Sequence, residues 1–563
     1  MADSIRIGNM SGFYGDRFAA MREMLDGGDL DYLTGDYLAE LTMLILGRDR
    51  LKDPSLGYAK TFLRQLEENL GLALDKGVKI VSNAGGLNPH GLAVAIRALC
   101  DKLGLDAQVA FVNGDDLVKD AEKLGLGNPL TANAYLGAFG IKAALDRGAD
   151  VVVTGRVTDA SLTVGPAAAA FDWDYTDLDA IAGAVVAGHV IECGAQATGG
   201  NYSFFQEIPM GHLGFPIAEV AADGSSVITK HDGTGGAVTV GTVTAQLLYE
   251  VAGPRYYNPD ATARLDTIEL EQLADNRVAL RGVKGEAPPK DLKVSLNFLA
   301  GLRNEVDVII TGLDIEAKAK LFEEQFTAAL PEKPAELTFD LSRTDRADGT
   351  TEEQASALLR VVAKDTDPTK VGRPFSSAVV ELALASYPGF TLTAPPGNGA
   401  PYGVFEPGYV DAAKVTHRVN QPDGVGVTIE PSPLRAELVA DNDSVPPTPA
   451  DFGPVEVKPL GTIAGARSGD KGGSANVGVW VRSDEQFAWL DQTLTVDLLR
   501  ELLPEVAELT VHRYALPNLR AVNFVIEGVL GRGVADQVRF DPQAKGLGEW
   551  LRSRPVPIPA KFL

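Results

Sequence analysis

Short β-rich runs, each followed by a polar glycine-rich turn and then a helix, recur through the first half of the chain. The apolar runs are Ile5–Gly8, Val78–Val81, Val109–Val112 and Val151–Thr154. A strand, a turn and a helix at intervals of about 30–40 residues predict βα units around a mostly parallel, Rossmann-like sheet. Because ligands bind beyond the carboxyl ends of such strands, we expect the functional site in the turns that follow them.

The pattern divides the 563 residues into several folding units. We expect a Rossmann-like α/β lobe with glycine-rich ligand loops at 1–255, and a second α/β lobe packed on it at 256–430. Within that second lobe, the pattern predicts a helix at Thr351–Lys364. Prolines crowd residues 431–457 and block both helix and central strand, so this segment is predicted to be a linker. Residues 458–563 alternate strands and helices as a small ferredoxin-like α+β domain does.

Acidic residues outnumber basic ones by 76 to 51, which is a formal net charge of −25. Such a field repels phosphodiester backbones and anionic lipid, so neither nucleic acid nor a membrane is an expected partner. Cys100 and Cys193 cannot form a disulfide framework, which is typical of a reducing compartment. Met1-Ala2-Asp3-Ser4 shows no charged-then-apolar leader, and no apolar run approaches the roughly 18–20 residues of a membrane span. The sequence therefore predicts a cytoplasmic protein.

Standard nucleotide and metal motifs are absent from the sequence. Gly-x-x-x-x-Gly-Lys-Ser/Thr and Gly-x-Ser-x-Gly do not occur, and no predicted strand is followed by Gly-x-Gly-x-x-Gly. The six histidines show no paired-ligand spacing. These patterns disfavour the common dehydrogenase, kinase, hydrolase and metalloprotease classes. The sequence predicts neither a cofactor nor a bound metal.

The strongest candidate residues follow the apolar run that ends at Thr154. An arginine at the carboxyl end of a strand can hold a carboxylate or phosphate with its planar fork. We therefore assign Arg156 and Thr158 to substrate binding, and Asp159 to catalysis as a proton-moving carboxylate. The alternative is an ordinary helix start, in which Thr158 or Asp159 is the N-cap and Arg156 pairs locally.

A second candidate segment begins at Glu192, after an apolar run at His189–Ile191 that is predicted to be a strand. Burial would raise the pKa of the Glu192 carboxyl, which suits a catalytic general acid or base. Cys193 would need a neighbouring base or positive field to act as a nucleophile, and a small buried thiol is the alternative. The following turn adds substrate-binding candidates, which are Gln196, Gly199, Gly200 and Asn201.

Two further turns carry polar side chains that can hold a carbonyl or a phosphate at a helix N-terminus. One follows the run that ends at Val81, and the other follows Gly8. The alternative for both is a turn that only caps a helix. The substrate-binding candidates in these turns are Asn83, Gly85, Gly86, Asn88, Asn9, Ser11 and Asp16.

His231 and Lys471 complete the candidate set. His231 opens a His-Asp-Gly-Thr-Gly-Gly turn and is included as a catalytic candidate, with a surface histidine as the alternative. Lys471 lies in the segment Arg467–Gly473, whose cations and backbone N–H groups can bind an anion. A long hairpin loop is the alternative for this segment.

Several motifs taken together resemble the acyclic terpene utilisation AtuA family. The last domain resembles the ferredoxin-fold domain of that family through Arg467–Gly472 and Asn518-Leu519-Arg520. The resemblance spans nearly the full chain. The other motifs that carry it are Ile7-Gly8-Asn9, Asp31–Glu40, Ser82–Gly86, Val153–Asp159, Ile191–Gly194, Gly199-Gly200-Asn201, Lys230–Gly236 and Gln246–Glu250.

The resemblance implies a role in bacterial breakdown of citronellol- and geraniol-type compounds alongside a geranyl-CoA carboxylase, or in related branched acyl-CoA pathways. It implies a lyase or hydratase step on a branched acyl-CoA, which an acid–base pair can catalyse without a cofactor. One alternative is a non-catalytic binding or assembly partner of an acyl-CoA carboxylase, and another is nucleotide binding at the glycine-rich turns. We also expect a homo-oligomer, because edge strands of the C-terminal domain invite pairing.

Overall fold

A computed structural model describes residues 4–563, so the predicted leader-free start at Met1–Asp3 lies outside the described residues. The elements form two compact units, one made of the chain up to Asn297 together with Phe405–Leu563, and the other of Phe298–Val404. None of the helices described in residues 4–563 combines the length and apolar character needed to cross a bilayer.

The first unit begins with the alternation of strands and helices that the sequence predicts. In chain order, these elements are β1 (Ser4–Asn9), α1 (Ala20–Gly27), β2 (Tyr32–Gly35), α2 (Glu40–Lys52), α3 (Lys60–Asp75), β3 (Lys79–Ser82), α4 (Pro89–Leu103), β4 (Val109–Asn113), β5 (Thr131–Ala134), α5 (Phe139–Leu145), β6 (Val151–Thr154), α6 (Ser161–Phe171) and α7 (Leu178–Ile191). The five strands β1-β2-β3-β6-β4 pair side by side and run parallel.

Helices cover both faces of this parallel core. On one face, α1, α3 and α4 bury an apolar cluster that includes Phe62 and Ile96 together with Val151 of β6. On the other face, α6 and α7 bury a second cluster that includes Val185 and Ile7. Burial on both faces explains why the short strands are continuous apolar runs and do not alternate.

Antiparallel strands extend both edges of the sheet, which makes it an eleven-stranded mixed sheet in the order β11-β12-β8-β7-β1-β2-β3-β6-β4-β19-β20. Only four of its ten pairings are parallel, so the prediction of a mostly parallel sheet is wrong. Parallel pairing needs a long crossover, whereas the chain after α7 turns back through hairpins. These later elements are β7 (Pro216–Ala221), β8 (Ser226–Lys230), α8 (Val240–Leu247), β9 (Arg255–Tyr256), β10 (Thr262–Arg264), β11 (Glu269–Ala274), β12 (Arg277–Arg281), β13 (Lys284–Glu286), β19 (Arg418–Asn420) and β20 (Gly426–Thr428).

The last turn of α7 corrects a second prediction. His189–Ile191 is helical, because the whole run from Leu178 to Ile191 is one apolar helix that is buried from Ile181 onward. A helix buried on all sides lacks the 3.6-residue polar periodicity that marks an amphipathic one. Gly188 lies so close to α6 that a Cβ there would be 2.9 Å from the Cα of Ala160.

The second unit is built around an antiparallel sheet with an aromatic core that includes Phe322, Phe326 and Phe375. Thr351–Lys364 is not a helix as predicted, since its main element is strand β16. Pairing with the strands on both sides of β16 buries its apolar residues, and this tertiary pairing overrides the local preference. The elements are β14 (Asp291–Thr311), which begins in the first unit, α9 (Ile315–Ala329), β15 (Glu336–Ser342), β16 (Ser356–Asp365), α10 (Pro368–Val371), α11 (Arg373–Glu381), β17 (Thr391–Leu392) and β18 (Ala400–Asp411), which returns to the first unit.

The C-terminal segment adds a four-stranded antiparallel sheet in the order β22-β23-β25-β24. Its helices cover an apolar core that includes Trp489, Leu499 and Phe524. The elements are β21 (Val455–Pro459), β22 (Gly465–Lys471), β23 (Ser474–Trp480), α12 (Asp484–Thr493), α13 (Val496–Leu502), β24 (Val511–Leu516), β25 (Ala521–Ile526), α14 (Leu547–Ser553) and β26 (Pro555–Pro559).

Candidate functional site

The carboxyl ends of four neighbouring parallel strands place four polar side chains in one region. Asn9 ends β1, Asp36 follows β2, Asn83 follows β3 and Arg156 follows β6. All four side chains are at least 95% buried. Since these strands are adjacent and parallel, their ends meet at the same edge of the sheet.

Arg156 is held on several sides by the protein. Its Nη2 lies 3.0 Å from Oδ1 of Asp159, and its Nη1 donates a 2.9 Å hydrogen bond to the carbonyl of Leu38. The guanidinium also lies 4.2 Å from the ring centroid of Tyr135. Asp159 keeps 28% of its side chain exposed, so it is the member of this ion pair that a solute can reach.

Asp36 and Asn83 form a buried hydrogen-bonded pair beside this arginine. Nδ2 of Asn83 donates to Oδ1 of Asp36 over 2.6 Å, and Oδ1 of Asn83 accepts from the backbone N–H of Tyr37. The pKa of Asp36 is raised well above its ordinary value, chiefly by burial and then by the charge of Asp159, while Arg156 acts in the opposite direction. Asp36 is thus coupled electrostatically to the Arg156–Asp159 pair.

The C-terminal end of α7 brings Glu192 to the same place. Nδ2 of Asn9 donates to the carbonyls of Ile191, at 2.7 Å, and Glu192, at 3.1 Å. These are two of the carbonyls that a helix end leaves without helical partners, so Asn9 fixes the position of the helix end relative to β1. Within the helix, Nδ1 of His189 lies 3.0 Å from Oε1 of Glu192.

The pKa of Glu192 is raised well above its ordinary value. Burial is the largest cause, the charges of Asp159 and Glu250 add to it, and Arg156 acts against it. The neighbouring His189 is 2% exposed, and burial lowers its pKa to about 4. Burial therefore favours the protonated form of the Glu192 carboxyl and the neutral form of the His189 imidazole.

Oε2 of Glu192 and Nε2 of His189 are buried and have no hydrogen-bond partner among the residues that the structure describes. Buried polar atoms are nearly always hydrogen-bonded, so this position suits a bound water or substrate group. The ring of Tyr256 packs on His189 with centroids 4.9 Å apart, and burial raises the pKa of its hydroxyl well above the ordinary value.

Asp115 supports the turn that carries Arg156. Its Oδ2 accepts from the backbone N–H of Arg156 at 2.8 Å and from Nδ2 of Asn133 at 2.7 Å. A Cβ on Gly155 would lie 2.2 Å from Oδ1 of Asp115, so only glycine permits this approach. Burial raises the pKa of Asp115 to about 7.

The structure brings together five of the predicted residues, Asn9, Asn83, Arg156, Asp159 and Glu192, as described above. Several other candidates lie next to them. Oδ2 of Asp16 accepts from the N–H of Gly12, and a Cβ on Gly12 would lie 2.3 Å from the nitrogen of Gly194. Ser11 donates to the carbonyl of Phe13 within the same turn. Because Gly12 lies against Gly194, this turn packs directly on the segment after Glu192.

The turn after β3 also packs against the site. A Cβ on Gly85 would lie 2.4 Å from the carbonyl oxygen of Thr154, and the N–H of Gly86 donates to the carbonyl of Asn83. Gln196 accepts a hydrogen bond from Arg467, and Nζ of Lys471 donates to the carbonyl of Glu250 at 3.1 Å. Both contacts join the C-terminal sheet to the first part of the chain.

Other predicted residues have local structural partners. Oδ1 of Asn88 caps α4 by accepting from the N–H of Gly91, and the hydroxyl of Thr158 lies 2.6 Å from that of Ser161. Nε2 of His231 lies 2.9 Å from the carbonyl of Met24, and its ring packs against α1. Gly199 and Asn201 have positive φ angles and shape the turn that also contains Gly200.

Sequence reasoning misses three members of the cluster. Asp36 directly follows a strand, so the rule that ligands bind beyond strand ends would have identified it. His189 is predicted to lie in a strand, and Tyr256 belongs to a two-residue strand that carries no motif.

Cys193, which is adjacent to Glu192, has a pKa raised well above its ordinary value, chiefly by burial and then by Glu192.

A cavity of about 510 Å³ lies elsewhere, lined among others by Ser203–Glu207, Gly461–Ile463, Arg482 and Arg552. None of the predicted site residues lines it. The residues that the structure describes contain no group of three or more His, Cys, Asp or Glu side chains arranged to hold a metal ion.

Comparison with known proteins identifies the family. No curated protein and no solved structure matched the chain. A family model described as AtuA ferredoxin-like domain matches residues 458–557, which confirms the predicted C-terminal domain. A second model, described as acyclic terpene utilisation family protein AtuA, matches residues 5–421. The chain therefore belongs to the acyclic terpene utilisation AtuA family.

Proposed function

We propose that this protein is a lyase- or hydratase-type enzyme that acts on a branched acyl-CoA through the acid–base chemistry of its own carboxyl groups. The observation that supports it best is the meeting of Glu192 with the Arg156–Asp159 ion pair at the carboxyl ends of the parallel strands. A protonated carboxyl beside a partly exposed carboxylate is an acid and a base in one site. Perturbed acids that converge in this way are typical of catalytic sites.

In this proposal each of three side chains has one role. Asp159 accepts a proton from water while the water oxygen bonds to the β-carbon of an unsaturated acyl group. Glu192 delivers its proton to the α-carbon, and the reverse sequence eliminates water. Arg156 orients Asp159 and supplies positive potential, because its Nη1 and Nη2 already contact Leu38 and Asp159.

The substrate class rests on the family to which the chain belongs. Breakdown of acyclic terpenes passes through branched acids, and a thioester acidifies the α-carbon at which Glu192 would act. A purely structural partner of an acyl-CoA carboxylase has no need of buried carboxyls with raised pKa values, since burying such groups costs stability. The enzyme is therefore the better proposal of the two.

The test is a calorimetric screen of CoA esters, followed by mass spectrometry of the best binder for gain or loss of one water. The panel contains saturated, α,β-unsaturated and 3-hydroxy branched esters, together with free CoA and ATP. We expect an unsaturated or 3-hydroxy branched ester to bind and to be converted. Asp159→Asn should reduce turnover by about 10²–10⁴-fold, whereas Asp26→Asn, in an exposed ion pair with Arg22, should not.

Two results would overturn the proposal. One is a panel in which no ester is bound or converted by the folded protein. The other is binding of ATP alone, which would favour the nucleotide alternative.

A further inference from the structure

The segment Leu248–Val251, directly after α8, is held by the ferredoxin-like domain. Nδ2 of Asn476 donates to the carbonyl of Leu248 at 2.6 Å, and Oδ1 of the same side chain accepts from the N–H of Glu250 at 2.9 Å. Nδ2 of Asn523 donates to the carbonyl of Val251 at 3.2 Å. Together with Lys471 on the carbonyl of Glu250, these bonds satisfy half of the backbone polar groups of the segment.

Glycines in the ferredoxin-like domain make this approach possible. A Cβ on Gly478 would lie 2.6 Å from Cβ of Leu248, and one on Gly469 would lie 2.5 Å from the ring of Tyr249. The same ring lies 4.3 Å from the guanidinium of Arg467. Its hydroxyl accepts a 2.7 Å hydrogen bond from Nζ of Lys545. The ferredoxin-like domain therefore contacts this segment both by close approach of its backbone at the two glycines and through the side chains of Arg467 and Lys545.

Glu250 adopts a backbone conformation that needs such support. Its φ is +56°, in the left-handed region that residues other than glycine seldom adopt. Strained residues of this kind persist where the surrounding structure determines them, and they cluster at functional sites. Nε2 of Gln246, in the last turn of α8, donates to the carbonyl of His189 at 3.0 Å, so the chain that leads to Glu250 lies against the end of α7. The charge of Glu250 raises the pKa of Glu192 there, after the larger effect of burial.

We propose that Glu250 is a positioning residue that acts through Glu192, and that the ferredoxin-like domain serves the site by holding Glu250 in place. This inference rests on the proposed function for its catalytic meaning. Two negative charges near each other favour the protonated form of the more buried acid. Glu250 thus keeps Glu192 ready to donate a proton. The charged or titratable groups around Glu192 are His189, Cys193, Arg156, Asp159, Glu250 and Tyr256.

The first test compares the wild-type protein with Glu250→Gln, which keeps the shape of the side chain and removes its charge. Infrared difference spectroscopy follows the protonated carboxyl of Glu192 against pH, with Glu192→Gln identifying the band. We expect the titration of Glu192 to move to lower pH by about one unit in Glu250→Gln, with little change in melting temperature. Identical titrations in the two proteins would overturn the role of Glu250.

The second test addresses the ferredoxin-like domain. Gly478→Ala pushes a methyl group against Leu248, while the matched control Gly546→Ala, in the same domain, meets only the flexible side chain of Asp541 at 3.3 Å. We expect Gly478→Ala to shift the Glu192 titration in the same direction as Glu250→Gln, and Gly546→Ala to leave it unchanged. Equal titrations in both alanine variants, or loss of folding in both, would overturn the role of the domain.

These experiments need no substrate, so they are decided separately from the proposed function. A shifted Glu192 titration in a protein that converts no CoA ester would confirm the coupling and overturn the proposed reaction. An unshifted titration in an active enzyme would do the opposite.

Discussion

Nη2 of Arg156 lies 3.0 Å from Oδ1 of Asp159, with the arginine 4% and the aspartate 28% exposed. The cation is therefore buried while its partner reaches the surface. This difference in exposure distinguishes Arg156 from Asp159, which the sequence alone does not. Arg156 is buried within the site, and Asp159 is the member of the pair that solvent reaches.

Arg156→Ala should destabilise the protein strongly. The substitution removes a buried guanidinium that bonds the carbonyl of Leu38 and pairs with Asp159, and the loss of such charge-assisted hydrogen bonds costs about 1.5–3 kcal/mol. Urea unfolding measures this loss, and Arg156→Lys should lose less because it keeps the charge. Arg22→Ala breaks the exposed pair with Asp26 and should change stability by no more than about 0.5 kcal/mol. Equal stability of Arg156→Ala and wild type would contradict the buried pair.

Glu192→Gln should lower turnover by about 10²–10⁴-fold without loss of stability. The amide cannot donate a carboxyl proton, but it is neutral, like the protonated form of Glu192 that burial favours. Steady-state kinetics on the converted ester measure the turnover, and a thermal melt measures the stability. A variant that retains full activity would remove Glu192 from the mechanism.

Asp115 should make stability depend on pH in a defined window. Its pKa is about 7 in the folded protein, against an ordinary value of 3.8, so between these values the folded state holds a proton that the unfolded chain releases. The free energy of unfolding therefore falls as pH rises through this window, by about 1.4 kcal/mol per pH unit at most from this group.

Asp115→Asn should remove that contribution. Chemical denaturation at several pH values should show the wild-type stability, relative to the variant, declining from about pH 4 to pH 7. A difference between the two proteins that is constant across this range would contradict the raised pKa.

Gly155→Ala should be destabilised by about 1–3 kcal/mol, because the added Cβ would lie 2.2 Å from Oδ1 of Asp115. Gly71→Ala is the matched comparison, since Gly71 lies inside α3 and a Cβ there meets nothing closer than 3.8 Å. Alanine should stabilise that helix by about 0.5–1 kcal/mol. Thermal melts of the two variants should move in opposite directions.

Cys193 should react slowly with iodoacetamide at pH 7 in the folded protein. Burial and the neighbouring Glu192 raise the pKa of its thiol, and the thiolate is the reactive form. Mass spectrometry of timed alkylation measures the rate, with the urea-unfolded chain as the reference. Cys193→Ser should keep the activity, and an inactive but folded variant would point to covalent catalysis.

The strand-end rule predicted part of the site because it depends on pattern alone. Asn9, Asn83 and Arg156 each follow an apolar run, and parallel neighbours bring such ends together. The same rule does not distinguish an asparagine of the site from one that caps a helix, so it predicts the same role for Asn83 and Asn88. Only their partners distinguish them, since Asn83 bonds to Asp36 whereas Asn88 caps α4.

Two segments differ from their predicted secondary structure for different reasons. His189–Ile191 is helical and not a strand, because α7 is buried on every side and shows no polar face. Thr351–Lys364 lies mainly in the strand β16 and not in a helix. In β16 the partners that decide the strand are far away in the sequence. No local pattern records them.

The sequence alone determined the family, the βα units of the parallel core and the small C-terminal domain, because these depend on local periodicity and ordered motifs. Tertiary structure decided which acids are buried and which charges act on them. Burial raises the pKa of Glu192, and the charges of Asp159 and Glu250, which come from separate segments of the chain, add to that rise. Electrostatic coupling and desolvation depend on distance in space, so they exist only once the chain has folded.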